Sequence, residues 1–165
     1  MPRADDAPPP NWCWREGPIQ GRAVVFDMDG VLSDAEGRQH HLEHPGRNWR
    51  AFFEAVGEDP IIEEVATLLH ALDPTFGIVL LTARPLWVQS HTLGWLERND
   101  LRWDLLVMRD AGDYDDASRF KARTVHELRA VDIHPELAFE DDRRNVAMFR
   151  SLDIPCVYIH SGYYD

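Results

Sequence analysis

Cysteine is scarce in this 165-residue chain: there are two, Cys13 and Cys156, with no spacing that would hold zinc or build a disulfide framework. A reducing, cytoplasmic setting is therefore expected. No stretch approaches 18 consecutive apolar residues, so no transmembrane helix is expected, and the polar, proline-rich N-terminus has no signal-peptide core. Basic residues are outnumbered, 17 Lys and Arg against 29 Asp and Glu, for a net charge of −12. That balance argues against loose attachment to an anionic membrane or a nucleic-acid backbone, because both need a positive field. A nucleic-acid end entering a small local basic pocket remains compatible with it. The chain also contains no Gly-x-x-x-x-Gly-Lys-Ser/Thr loop, and hence no kinase-type phosphate cradle.

What is present is enough apolar material, 44 % of residues, for one well-packed domain. Residues 1–21 hold five prolines and little periodic apolar content, and read as a flexible leader ahead of a domain over 22–165. Trp12 and Trp14 are unusual in such a leader, and packing back onto the domain is the simpler reading of them. From there short apolar runs alternate with helical periods. Runs at 23–26, 78–81, 103–108, 137–140 and 156–159 read as buried strands, and amphipathic helices are expected at 48–56, from Pro60 to Leu72, and at 86–98, 119–131 and 143–152. This is α/β spacing: a Rossmann-like three-layer sandwich with a central parallel sheet. The polar insertion over 33–57 is too short for a separate domain and is expected to form a small lid at most.

The chemistry gathers where the strands end, the edge at which open α/β sheets bind ligands. Ala23-Val24-Val25-Phe26 runs into Asp27-Met28-Asp29-Gly30. Residues two apart in an extended chain point the same way, and the turn at Gly30 lets the two carboxyls approach one reacting atom. Asp27 is thus a candidate nucleophile and Asp29 a candidate proton donor and acceptor. Thr82 ends the next strand, where a hydroxyl and nearby N–H groups can hold a phosphoryl oxygen, and Arg84 follows with a guanidinium that can fork onto phosphate. Lys121 starts a helix beyond an acidic loop, with Asp116 placed to orient it or to cap the helix. Glu140-Asp141-Asp142 closes the fourth strand, and three adjacent acids repel one another unless a cation lies among them. Oxygen donors of this kind favour Mg²⁺ over zinc. His40, His41 and His44 share a short stretch but lack a His-Glu-x-x-His pattern, and read as solvated or substrate-facing.

In this order the segments resemble the four motifs of the haloacid dehalogenase (HAD) superfamily of phosphohydrolases. Asp-Met-Asp-Gly-Val-Leu is similar to its Asp-x-Asp-Gly-Thr/Val-Leu signature. The resemblance implies an aspartyl-phosphate on Asp27, general acid–base work by Asp29, phosphate contacts from Thr82, pairing of Lys121 with the nucleophile, and Mg²⁺ held by Asp27, the main-chain carbonyl of Asp29, and one of Asp141 and Asp142. Within the superfamily, Gly37-Arg38, Ala83-Arg84, Asp141-Asp142-Arg143 and Ser161-Gly162-Tyr163 resemble the 3′-phosphatase domain of phage-type polynucleotide kinase-phosphatase, which implies substrate-binding roles for Arg38, Ala83 and Arg84. The expected partner is a phosphorylated small molecule or nucleotide. A polynucleotide 3′ end is the alternative, and a non-catalytic binding module of the same fold is a further one.

Overall fold

The computed structural model describes residues 8–43 and 45–164. His44 and the first seven residues of the expected leader lie outside them. Eleven principal elements follow one another: β1 (Trp12–Trp14), β2 (Gly21–Phe26), α1 (Trp49–Glu54), α2 (Glu63–Ala71), β3 (Gly77–Pro85), α3 (Gln89–Arg98), β4 (Leu105–Arg109), α4 (Ala117–Ala130), β5 (Ile133–Glu140), α5 (Arg143–Ser151) and β6 (Cys156–Tyr158). Short 3₁₀ turns join them at Glu36–Leu42, Val56–Glu58 and Leu86–Val88.

The six strands form one sheet in the order β1-β4-β3-β2-β5-β6, parallel except for β1. Successive residues of β2 point to opposite faces, and both faces are covered. Val24 and Phe26 join one apolar cluster with Val65 and Leu69 of α2 and Trp95 of α3. Ala23 and Val25 join the other with Phe120 and Leu128 of α4 and Phe149 of α5. This explains why the strand is continuously apolar rather than alternating. Among the described residues no helix is long and apolar enough to cross a membrane.

The structure differs from the sequence reading in several places, and β3 runs on past Thr82, its expected end, to Pro85. Trp12–Trp14 is not leader but an antiparallel edge strand, registered Trp12 to Val107 and Trp14 to Leu105, with the Asn11 amide donating to the Met108 carbonyl at 2.7 Å. The open edge of β4 supplies backbone partners, and burial of the Trp12 ring offsets the ordering of a segment whose prolines stop just before it. The fourth expected strand also begins earlier, at Ile133, because a bulge absorbs Pro135. Ala23 faces Pro135, Val24 faces Leu137, and Glu136 is the extra residue. A proline with no N–H is tolerated at such an irregularity.

The insertion over 33–57 forms the 3₁₀ turn Glu36–Leu42 and the six-residue α1, whose first turn is capped by the Asn48 side chain accepting from Ala51 N–H at 3.0 Å. It stands over the carboxyl edge of the sheet.

Candidate active site

Because β3, β2 and β5 are adjacent and parallel, their carboxyl ends deliver Thr82, Asp27 and Glu140 side by side. Phe26 is in register with Leu80 and Phe139, and the Asp27 N–H still donates to the Phe139 carbonyl at 3.0 Å. Asp27, Asp29, Thr82, Ala83, Arg84 and Lys121 all line one cavity of about 670 Å³, roofed by Trp49, Phe52 and Phe53 of the insertion and by Tyr163 and Tyr164.

Beside Asp27 lies a buried ionic cluster. Lys121, reaching down from α4, is 3.0 Å from Asp27 Oδ1 and 2.7 Å from Glu140 Oε2. Carboxylate oxygens of Asp27, Glu140 and Asp141 lie within 4.8 Å of one another. Burial, and then the charge of Glu140, push the Asp27 carboxyl well above its ordinary range despite Lys121. Burial raises Asp141 to about 7, against the Ser161 hydroxyl that donates to its Oδ2 at 2.6 Å. Burial alone would lower Lys121, but Asp27 and Glu140 outweigh it and drive its pKa up.

The donor set fits a divalent cation. Asp141 Oδ1 is buried and has no hydrogen-bond partner among the described residues, while Glu140 is spent: Oε2 takes Lys121, and Oε1 accepts the N–H groups of Asp141 and Asp142. Gly30 makes the space. Its φ is +82°, and a Cβ there would come within 2.1 Å of Asp141 Oδ2.

Two of the expected site side chains are held by arginines. Asp142 caps α5 and is held by Arg144, at 2.8 Å through Oδ2. Burial would raise this carboxyl, but the Arg144 contacts bring it below its ordinary value. The Asp29 side chain faces away from the acidic cluster, onto Arg38 at 2.6 Å and Arg84 at 2.7 Å. Burial alone would raise it too, yet the two guanidiniums hold it down at about 2. Arg38 and Arg84 are themselves almost fully buried. Arg38 is forked onto Asp59 at 2.8 and 2.7 Å, and Arg84 reaches Thr92 at 3.2 Å and Ser33 at 3.1 Å. Arg38 does not line the cavity, whereas Arg84 and Ala83 do. Thr82 Oγ1 accepts from the Arg84 N–H at 3.1 Å. Asp116 is the N-cap of α4, accepting from Arg119 N–H at 2.9 Å. His40 and His41 pack against each other in the insertion with their rings tilted by 40°, outside the acidic cluster.

Sequence reasoning passed over Asp59, Glu140 as a partner of Lys121, and Ser161 as a donor to Asp141. Glu140 was legible as the first of three strand-end acids. Asp59 sits in an acidic stretch before Pro60 that resembles a helix start, and nothing local marks it as the partner of Arg38.

Residues 21–164 match the family model described as the polynucleotide kinase PNKP phosphatase domain. A chain of the Pnkp1/Rnl/Hen1 RNA repair complex superposes with a TM-score of 0.72 at 25 % identity, over 91 % of this chain and 46 % of that one. A second structure of that complex gives 0.71 and 26 %, over 87 % and 47 %. The chain thus spans just under half the length of these relatives. A haloacid dehalogenase-like hydrolase from Streptococcus pneumoniae shares the fold alone, with a TM-score of 0.63 at 14 % identity over 88 % of this chain and 87 % of that one. No curated protein matches the chain.

Proposed function

We propose that this chain, which belongs to the family of polynucleotide kinase PNKP phosphatase domains and is a HAD-type phosphatase, is a Mg²⁺-dependent phosphomonoesterase acting on the 3′-phosphorylated end of a nucleic-acid strand. The observation that carries the reading is the pairing of Lys121 with Asp27, both lining the cavity, next to Asp141, whose buried Oδ1 has no hydrogen-bond partner among the described residues.

On this reading an Asp27 oxygen attacks phosphorus, the bond from phosphorus to the 3′ oxygen breaks, and an aspartyl-phosphate is left on Asp27. Asp27 must be ionised to attack. Lys121 favours that state, and Asp27 and Asp141 would hold Mg²⁺, which would supply the remaining compensation and draw charge from the phosphoryl oxygens. Thr82, in the carboxyl half of β3, receives a phosphoryl oxygen. Asp29 moves the protons. Held near 2 by its arginines, it is a carboxylate at neutral pH and ready to take a proton from the attacking water in the second step. To donate to the leaving oxygen in the first step it must rise, and an incoming phosphoryl dianion has that effect by adding negative charge and by competing for Arg84. Arg38 and Asp59 act behind it as positioning groups. Residues 33–57 serve as a small lid, and the free thiols Cys13 and Cys156 suit a cytoplasmic setting.

The net charge of −12 favours a second substrate class, a free nucleotide or other small phosphate ester. Phosphate release from a 3′-phosphorylated oligonucleotide, a 3′-nucleotide and an aryl phosphate, each with Mg²⁺, decides between them. The reading predicts the highest kcat/KM on the oligonucleotide. Equal or higher values on the free nucleotide refute the strand as substrate, and no turnover of any ester that Asp27→Asn abolishes refutes the enzyme.

A further inference from the structure

A second hollow of about 810 Å³ opens beside the catalytic cavity, in the size range of ligand clefts. The two share Trp49, Phe53, Ala83 and Arg109, so they form one continuous path. The second hollow is walled by aromatic side chains that the core does not use. Trp49 is 47 % exposed, Trp87 49 % and Tyr114 92 %. They come from three separate segments: α1 of the insertion, the 3₁₀ turn after β3, and the loop before α4. Burying none of these rings in the core leaves flat faces in water, which a folded chain bears when something else covers them. Trp49 stacks on Phe53 at 5.8 Å, and Phe53 meets Trp87 edge-on at 6.3 Å, so the wall is pre-organised.

Electrostatics point the same way. Of the three carboxylates around the hollow, Glu54 is paired with Arg50 at 2.8 Å and Asp113 with Arg123, while Asp110 accepts from the Ala111 N–H. Arg109 lies at the junction of the two spaces. Its Nε is buried with no hydrogen-bond partner among the described residues, and its guanidinium rests over the Phe120 ring at 5.7 Å. Arg38 and Arg84 are committed to carboxylates. Arg109 therefore has capacity left for an added anion.

We infer that this hollow is the seat for the bases next to the scissile phosphate: Trp87 and Tyr114, with Trp49, stack nucleobases of a single strand, and Arg109 meets the phosphodiester between them and the catalytic cavity. The inference rests on the strand-end reading of the substrate and specifies how the strand is held. Stacking needs no sequence preference, since every base has a flat face. Use of a few rings and one guanidinium also reconciles a strongly acidic protein with an anionic polymer, because recognition is confined to one short path.

The test compares a 3′-phosphorylated oligonucleotide with the same strand made abasic at its last two positions, and both with an aryl phosphate. Wild-type protein is expected to favour the intact strand over the abasic one in kcat/KM by about 5- to 150-fold, the range of one base stack. Trp87→Ala and Tyr114→Ala should shrink that ratio towards one, and Trp87→Phe should keep most of it. Equal wild-type rates on intact and abasic strands overturn the stacking seat while leaving the 3′-end activity standing. Hydrolysis of the aryl phosphate with none on the intact strand overturns the substrate reading itself. A ratio unchanged by either alanine places the bases elsewhere and refutes these residues.

Discussion

Magnesium should stabilise this protein, and should do so more strongly at pH 8 than at pH 6. Asp27, Glu140 and Asp141 bring three carboxylates within 4.8 Å, with one ammonium, Lys121, to offset them. At that separation each like-charge pair costs about 3 kcal/mol for an effective dielectric near 20. Burial first, and then the charge of Glu140, favours the protonated forms without metal, so Asp27 is raised and Asp141 lies near 7. A carboxyl raised in the folded state contributes stability that is fully present below its unfolded pKa and lost as pH rises through the folded value. In chelator, therefore, stability should fall as pH climbs from about 4 through about 7. Mg²⁺ binds the deprotonated cluster and should reverse that fall. At a concentration 100-fold above Kd it adds about 2.7 kcal/mol, which for a chain of this size raises Tm by about 5–10 °C. Asp141→Asn gives the sharpest check, because the effect changes sign with conditions. At pH 8 the variant should be more stable than wild type in chelator, through lost repulsion, and should respond little to Mg²⁺. Thermal melts at pH 6 and 8, with Mg²⁺ or chelator, measure all four states. Equal Tm values with and without Mg²⁺ at pH 8, or an undiminished shift in Asp141→Asn, would refute the cluster as a cation site.

Three further outcomes are expected. Asp59→Asn leaves the buried Arg38 guanidinium short of a charged partner and should cost about 3 kcal/mol in urea unfolding; a loss under 1 kcal/mol would mean that the Arg38 fork contributes nothing. Gly30→Ala puts a methyl against Asp141 Oδ2 at a φ of +82°. It should cost at least about 1–2 kcal/mol from backbone strain alone and weaken the Mg²⁺-induced Tm shift; a wild-type shift would show that Asp141 can move freely. Asp29, held near 2 by its arginines after overcoming burial, contributes stability that is present above its unfolded pKa and lost as pH falls through about 4 towards 2. This amounts to roughly 2 kcal/mol, so acid titration of Asp29→Asn should show a shallower fall over that window. Identical acid limbs would refute the clamp.

The alternation of buried strands and amphipathic helices was legible residue by residue, because helix and strand periods are local properties of the chain. So were the strand-end positions of Asp27 and Glu140-Asp141-Asp142, since a carboxylate after an apolar run marks the edge of a sheet whatever lies beside it, whereas β3 runs three residues past Thr82 to Pro85. Local order could not reveal the partners. Asp141 and Asp142 are neighbours of one type, and only helix geometry decides that Asp142 caps α5 while Asp141 faces Asp27. Arg38 and Arg84 read as free cations ready for phosphate, and only packing closes them onto Asp29 and Asp59. Trp12 and Trp14 became an edge strand because β4 offered unpaired backbone, a fact of sheet order rather than of composition. Periodicity depends on neighbours along the chain, so it can be read from them. Charge pairing depends on neighbours in space, and in this protein Asp29 and Arg84 stand 55 residues apart.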